Sequence, residues 1–286
     1  MSTHNLAVIL LAAGQGTRMH SRTPKVLHEI AGVSMLRRAL AAAAALDPVR
    51  VVTVVRYQAD EVAAAAVAAL PQVRIAHQSE VPGTGSAADA GLQSLPAQFP
   101  GDVLITSADV PLLDADALRA FADAHHESGA AASILTARVD DPTGYGRILR
   151  AADGTVRGIV EERDATADER AITEINAGTY LFRASALAAA LARVGTDNAQ
   201  HERYLTDAVA LLVADGQTVD AHPVADPWLV QGVNDRVQLA AVARELNARI
   251  VRRWQLAGVT VIDPATTWSD ESAALGEDVT VYPDSR

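Results

Sequence analysis

Residues 6–28 run Leu6-Ala-Val-Ile-Leu-Leu11, then Ala12-Ala13-Gly14-Gln15-Gly16-Thr17-Arg18-Met19, and, after a polar stretch, Thr23-Pro24-Lys25-Val26-Leu27-His28. A short apolar run that ends directly on glycines reads as a buried parallel strand entering a turn. Glycines there let backbone N–H groups close on an anion at the start of the next helical turn. The stretch is not a Walker loop, since no Lys-Ser/Thr follows the glycine. It is not the dinucleotide fingerprint either, which has a third glycine. It is a phosphate-binding loop or a tight turn with a basic rim, and Arg18, Arg22 and Lys25 favour the first. Lys25 is the one lysine among 24 basic residues. An ammonium is a compact point charge, whereas a guanidinium is a wide planar fork. A lysine kept in an arginine-rich chain points to a site that admits only the smaller cation.

Outward from this stretch, Val49–Val55, Val73–Ala76 and Asp102–Thr106 read as further strands. They alternate with helices over 33–46, Asp60–Leu70, Thr84–Leu92 and Asp114–Glu127. Such alternation predicts βαβ units and a parallel sheet. From about residue 130 the pattern changes. Ser133–Arg138, Ile148–Leu149, Val156–Val160 and Gly178–Phe182 are extended pieces separated by turns, which predicts a mixed sheet. Helices return over 184–193 and 204–215. Val237, Leu239, Val242, Leu246, Ile250, Val251 and Trp254 then mark one helix over 235–257, about 35 Å long at 1.5 Å per residue. Beyond Gly258 the chain is rich in Pro, Ser and Asp, with short extended pieces at Val259–Ile262 and Val279–Tyr282.

A chain of 286 residues can bury roughly 75% of its unfolded surface. Its 49% apolar and 21% charged composition is that of a globular protein. There is no cysteine, which excludes disulfides, thiolate catalysis and cysteine-ligated zinc. No apolar run of about 18 residues is present, so no membrane span is expected. Residues 1–13 lack a basic n-region and a cleavage site, and the expected compartment is cytoplasmic. A net charge of −11 disfavours nonspecific nucleic-acid binding. It suits anionic small molecules only where basic groups converge. His125 and His126 read as a solvated helix face, not as part of a metal cluster.

Several further segments carry chemistry. Gln78, in Gln78-Ser-Glu-Val-Pro-Gly83-Thr84-Gly85, has a donor and an acceptor suited to a pyrimidine edge, although alone it reads as a surface loop. Asp109, in Ser107-Ala108-Asp109-Val110-Pro111, follows a strand at the end where open α/β sheets bind ligands; by itself it could also be a helix cap. Glu161 opens Glu161-Glu162-Arg163-Asp164, a charge run whose ordinary reading is a solvated face, retained for Glu162 through Asp164. Asn234, in Gly232-Val233-Asn234-Asp235, could cap the long helix.

Together these segments resemble the sugar-nucleotide pyrophosphorylases. Within them, Pro24-Lys25-Val26-Leu27-His28 is similar to the uridyltransferase half of the bifunctional N-acetylglucosamine-1-phosphate uridyltransferase/glucosamine-1-phosphate acetyltransferases. Pro142-Thr143-Gly144-Tyr145-Gly146-Arg147, Ile175-Asn176-Ala177-Gly178 and Tyr204-Leu-Thr206-Asp207 follow the same pattern in order. The resemblance spans residues 5–286 and implies an α/β, Rossmann-like nucleotidyltransferase fold with a mixed, mostly parallel sheet. It implies a uridyltransferase domain over 1–233, a linker helix over 234–258, and the start of a left-handed parallel β-helix over 259–286. Fewer than 30 residues cannot complete such a solenoid. The chain is therefore expected to be a fragment competent for uridylyl transfer only, part of a homotrimer at full length, with its last 25 or so residues loosely held unless they pack back.

The implied reaction is UTP plus N-acetylglucosamine 1-phosphate giving UDP-N-acetylglucosamine and pyrophosphate, a step in cell-wall precursor synthesis. Arg18 and Lys25 are implied as catalytic cations. Leu11, Ala12, Ala13, Gly14, Lys25, Gln78, Gly83, Thr84, Ser107, Ala108 and Asp109 are implied nucleotide contacts. Gly146, Glu161, Asn176 and Asn234 are implied to meet the sugar phosphate or its metal, with Mg²⁺ on Asp109 and Asn234. Gln15 stands where many members carry lysine, and Ala108 where they carry glycine. Another sugar-1-phosphate or cytidylyl nucleotidyltransferase is the alternative enzyme, and a silent assembly module organised by the long helix is the alternative class.

Overall fold

The computed structural model describes residues 5–285. The first half comprises β1 (Leu6–Leu11), β2 (Glu29–Ile30), β3 (Val33–Ser34), α1 (Met35–Ala44), β4 (Arg50–Val55), α2 (Ala59–Ala69), β5 (Arg74–His77), α3 (Thr84–Gln93), β6 (Asp102–Ser107) and α4 (Ala115–Ser128). Then follow β7 (Ala132–Arg138), β8 (Arg147–Arg150), β9 (Val156–Val160), α5 (Ala167–Arg170), β10 (Glu174–Arg183), α6 (Ala184–Leu191), α7 (Leu205–Ala214), β11 (Val219–Pro223), α8 (Arg236–Leu256), β12 (Thr260–Val261) and β13 (Thr280–Val281).

The main sheet has the order β11-β7-β10-β6-β1-β4-β5, with the β8–β9 hairpin attached to β10. β1 lies inside it, between β6 and β4 and parallel to both. Its alternating side chains feed both faces. Leu6, Val8 and Leu10 join the core layer that includes Leu36, Leu40 and Phe121. Ala7 and Ile9 join the layer that includes Leu187, Leu191 and Val209. Full burial of each such Leu, Ile or Val stabilises by about 1.5–3 kcal/mol. Strand β1 is apolar throughout because both of its faces are covered.

Helix starts follow local chemistry. Ser34 caps α1 by accepting from Arg37 N, and Asp114 caps α4 by accepting from Ala117 N. Thr166 and Glu169 form a reciprocal capping box at α5.

The sheet is mixed, but parallel pairing does not dominate it. Among the described residues β1–β4, β1–β6, β4–β5 and β7–β11 are parallel, while β6–β10, β7–β10, β8–β10 and β8–β9 are antiparallel. The long strand β10 produces this balance by running antiparallel between two strands of the α/β part. It begins at Glu174, four residues ahead of the expected extended piece. Strand β11 has no counterpart in the sequence reading. Its polar Asp220 and His222 and terminal Pro223 look like a loop, and an edge position tolerates them.

Helix α8 buries Val242, Ile250 and Val251 and carries a buried Asn247 among them. The amide of Asn247 donates to Thr267 O at 2.8 Å and accepts from Ser269 N at 2.9 Å. Glu271 pairs with Arg38 at 2.9 Å, and its backbone N–H reaches Ala31 O. The last stretch therefore packs back on α8 and on the β2–β3 turn. No helix among the described residues is long and apolar enough to cross a membrane.

Candidate active site

The carboxyl ends of β1, β4, β5 and β6 open into a cavity of about 570 Å³. This is where an open α/β sheet offers free backbone groups and divergent loops. A larger cavity, about 860 Å³, lies between α8 and the C-terminal segment. Apart from Tyr282, its one ionisable lining residue is Asp270, so the converging charges of the chain are elsewhere.

Three segments bring the central residues of the first cavity together. Leu11 O accepts from Ala108 N at 2.9 Å, tying the glycine loop to the end of β6. Asp109 O accepts from Val233 N at 2.8 Å, which brings Asn234 alongside. Lys25 arrives beneath the glycine loop. Gly16 sits at φ +64°, and a Cβ there would lie 2.7 Å from Lys25 Cβ, so the lysine can pass only under a glycine. The Lys25 ammonium makes a short ion pair with Asp109 Oδ2 and donates to Asn234 Oδ1 at 3.3 Å. Burial pushes the Asp109 carboxyl up, but the charge and hydrogen bond of Lys25, with help from Ser107, outweigh it and hold the group below the usual carboxylate range.

Neither Asp109 nor Asn234 is a helix cap. Asp114 caps α4, and Asp235 caps α8 by accepting from Gln238 N at 2.8 Å. Both candidate ligands are thus free of the structural duty that the sequence alone allowed them.

Gln78, Gly83 and Thr84 line the next part of the wall. Gln78 Nε2 donates to Val81 O at 3.2 Å and Gly83 O at 3.0 Å, which turns its carbonyl oxygen away from its own loop. Gly83 has φ +111°, and a Cβ on it would come 2.3 Å from Arg203 O. The following Gly85 N–H donates to that same carbonyl at 2.7 Å.

Opposite lies a cluster around Gly146, Glu161 and Asn176. Asn176 N donates to Gly146 O at 2.9 Å. The Asn176 amide accepts from Gly178 N and donates to Tyr180 OH at 2.6 Å, across a register shift in β10. Bulges of this kind re-aim side chains next to binding sites. Glu161 accepts from Thr206 Oγ1 at 3.1 Å. Burial is the main reason its carboxyl is raised above the ordinary glutamate range; Asp164, Asp207 and Glu202 add to the rise against the Thr206 hydrogen bond. Burial, then the charge of Glu161, likewise pushes the Tyr180 hydroxyl up.

Most of the expected site residues meet here: Leu11, Ala12, Ala13, Gly14, Lys25, Gln78, Gly83, Thr84, Ser107, Asp109, Gly146, Glu161, Asn176 and Asn234 all line the one cavity. Two do not. Arg18 is exposed on a single 3₁₀ turn that buries its neighbour Met19 instead. Ala108 is wholly buried and its N–H is committed to Leu11 O. Two surface readings also fail. His125 is buried, 2.8 Å from Ser133 Oγ, and His126 lies 3.0 Å from Asp102, at the opposite end of β6 from the cavity. Glu162 does not belong to a solvated run, since its carboxylate lies 2.7 Å from the buried Arg147 guanidinium. The sequence reading passed over Arg56, gave Tyr145 no role within its motif and assigned Glu202, with Asn198–Glu202, to the scaffold, yet all three line the cavity. Arg56 directly follows β4, so the strand-end rule that singled out Asp109 points to it too.

The ionisable lining side chains other than tyrosine are two basic, Lys25 and Arg56, and three acidic, Asp109, Glu161 and Glu202. A polyphosphate could not be neutralised here without a further cation. The arrangement suits one. A carboxylate and an amide oxygen already hold the Lys25 ammonium between them, and these are hard oxygen donors of the kind a divalent ion takes in small number.

Comparison with known proteins identifies the family. The model of the MobA-like NTP transferase domain matches residues 8–211. A bifunctional protein GlmU from Clavibacter sepedonicus is 53% identical over 279 residues, covering 98% of this chain and 57% of its own length. One from Leifsonia xyli subsp. xyli is also 53% identical, over 99% of this chain and 58% of its own length. The chain thus spans less than two thirds of the curated relatives it matches. Among solved structures, a Bacillus anthracis protein named as a glucose-1-phosphate thymidylyltransferase and crystallised with sucrose superposes with a TM-score of 0.65. It is 16% identical and covers 83% of this chain and 94% of its own. At that identity the likeness is one of fold.

Proposed function

The chain belongs to the MobA-like NTP transferase family, and on that footing we propose that it transfers uridylyl from UTP to N-acetylglucosamine 1-phosphate, releasing pyrophosphate. The observation that carries the reading is the convergence of Lys25, Asp109 and Asn234 at the strand ends, between the Gln78–Thr84 wall and the Gly146–Glu161–Asn176 cluster.

The nucleotide lies against the backbone from Leu11 to Gly14 and the Gln78–Thr84 wall. With its nitrogen held by the loop, Gln78 presents an acceptor. Uracil offers N3–H to an acceptor, whereas cytosine offers a lone pair there, so this wall favours UTP over CTP. The sugar phosphate lies on the other side, its hydroxyls meeting Glu161 and Asn176. One oxygen of its phosphate attacks the α-phosphorus in line and pyrophosphate departs. The attacking oxygen is already anionic, so no protein base is needed, and catalysis is positioning plus charge neutralisation. Asp109 and Asn234 would hold Mg²⁺, which supplies positive charge to the phosphate oxygens when bound. Lys25, which here holds Asp109 and Asn234, would turn its ammonium to the phosphates. Arg18 would have to fold inward from its exposed turn to share that role.

We further read α8 as a linker and residues 259–286 as the first coil of a parallel β-solenoid, with a homotrimer as the assembly. The parallel pairing of Thr260 with Thr280 and Val261 with Val281 supports the solenoid coil. The test of the activity is pyrophosphate release with a panel of sugar 1-phosphates against UTP, CTP and dTTP. The reading requires N-acetylglucosamine 1-phosphate and UTP to be the preferred pair, and a preference for another pair refutes it.

A further inference from the structure

Resting on the assignment of Gly146, Glu161 and Asn176 to the sugar phosphate, we propose that Arg147, paired with Glu162, is the positioning residue that sets the three into register. Arg147 touches no space in the cavity and is 1% exposed. It nonetheless lies where the segments carrying all three groups meet. In the sheet it lies opposite Val160 of β9, the residue before Glu161, and opposite Ile175 of β10, the residue before Asn176. It immediately follows Gly146. Its guanidinium donates to Tyr145 O in a short bond, closing the turn that carries Gly146. It donates to Arg170 O at 3.3 Å, and its Nη2 lies 2.7 Å from Glu162 Oε2. Arg170 in turn donates to Glu162 O at 3.3 Å, so the turn after β9 is gripped through side chain and backbone.

The chemistry of the pair argues against simple fold glue. Buried ion pairs are weak sources of stability, because desolvation cancels much of the Coulomb gain. This one is also incompletely satisfied. Arg147 Nε has no acceptor, and the approach to Glu162 Oε2 is close without the alignment of a hydrogen bond. What a planar, five-donor fork does well is fix several backbone carbonyls and a carboxylate in one plane. The contacts it fixes are those that hold Gly146 and Glu161 facing each other, where a Cβ on Gly146 would already lie 3.4 Å from Glu161 Oε2. Rigid support of this kind decides whether binding groups sit within the tolerance a ligand needs.

The test uses Arg147→Lys and Glu162→Gln in the whole chain. Pyrophosphate release is measured with UTP and with the sugar 1-phosphate the wild-type chain uses best, and UTP binding alone is followed by calorimetry. Arg147→Lys is expected to raise the sugar-phosphate KM by about 10-fold or more. The UTP KM and the UTP affinity stay within about 2-fold of wild type. Glu162→Gln, which keeps the size of the side chain, shifts the same constant in the same direction by less. Retained UTP binding reports a folded variant; should Arg147→Lys not fold, Glu162→Gln carries the same split. Equal rises in both KM values, or a lower melting temperature with unchanged kinetics, overturn the inference and make the pair structural. Failure of the underlying reading appears separately, in the wild-type chain, as no turnover with any sugar 1-phosphate, and removes the inference with it.

Discussion

The two walls of the cavity are built from different materials. The wall assigned to the nucleotide is largely backbone: strand ends, a glycine loop, Gly83 pressed against Arg203 O, and a Gln78 whose amide is locked onto its own loop. The wall assigned to the sugar is largely side chain: Glu161 on Thr206, Asn176 on Tyr180, and Arg147 on Glu162 behind them. Gln78 apart, a backbone wall meets what every nucleotide shares and tolerates little added volume. A side-chain wall can be altered one group at a time, and its ionisable members make it sensitive to pH. Between them, Lys25, Asp109 and Asn234 belong to neither.

The largest effect is expected at that junction. Asp109→Asn removes the charge that both walls depend on, and turnover should fall by about 10²–10³-fold, the scale for losing one preorganised electrostatic group. The melting temperature should move little, and a fully active variant at low Mg²⁺ would take Asp109 out of the mechanism. Lys25→Arg keeps the charge but brings a wide fork into the narrow space between Asp109 and Asn234, on a stem held under Gly16. A loss of about 10²-fold is expected in steady-state turnover, and wild-type rates would remove the case for a point charge.

The backbone wall is broken by Gly83→Ala. The new Cβ meets Arg203 O, and the φ of +111° is strained for alanine. A cost of about 1–3 kcal/mol in denaturant melts should accompany a UTP KM raised about 10-fold. The sugar-phosphate KM should stay near wild type, and equal effects on both would mean that the walls are not separable.

The side-chain wall is probed by pH. The Glu161 carboxyl is raised by burial and by neighbouring acids. Its charged form, the one that accepts a sugar hydroxyl, is therefore lost at higher pH than for an ordinary glutamate. The sugar-phosphate KM should climb as pH falls through that raised pKa while the UTP KM stays flat. The stability sign is the reverse. A raised carboxyl favours the fold while protonated, and that contribution is lost as pH rises through the folded-state pKa. Glu161→Gln should thus melt higher than wild type at neutral pH, bind sugar phosphate more weakly and abolish the pH slope. A pH-independent sugar KM in the wild-type chain would move Glu161 out of contact. The smallest effect is expected from Gln15→Lys, which adds a cation to a cavity with more acids than bases. Its UTP KM should fall by about 2-fold at low salt and less at high salt.

The glycine loop, the order of strands and helices through α4 apart from the short β2–β3 hairpin, and, with the family resemblance, fourteen residues of the cavity wall were legible in the sequence, because they sit in short contiguous motifs. Apolar runs, glycines and short polar motifs report local backbone demands, and a loop that must close on phosphate carries its glycines wherever the rest of the chain goes. What only the tertiary structure decided is which side chains meet and which face water once the segments have packed. It paired Lys25 with Asp109 and Asn234, 84 and 209 residues away. It turned Arg18 to solvent because Met19 took the buried side of a three-residue turn. It drew His125 inward to Ser133, and it took Glu162 out of its charge run and set it against Arg147. A charged residue looks the same in sequence whether it faces water or a buried partner. The difference lies in desolvation and pairing, and those energies exist only once the segments have met.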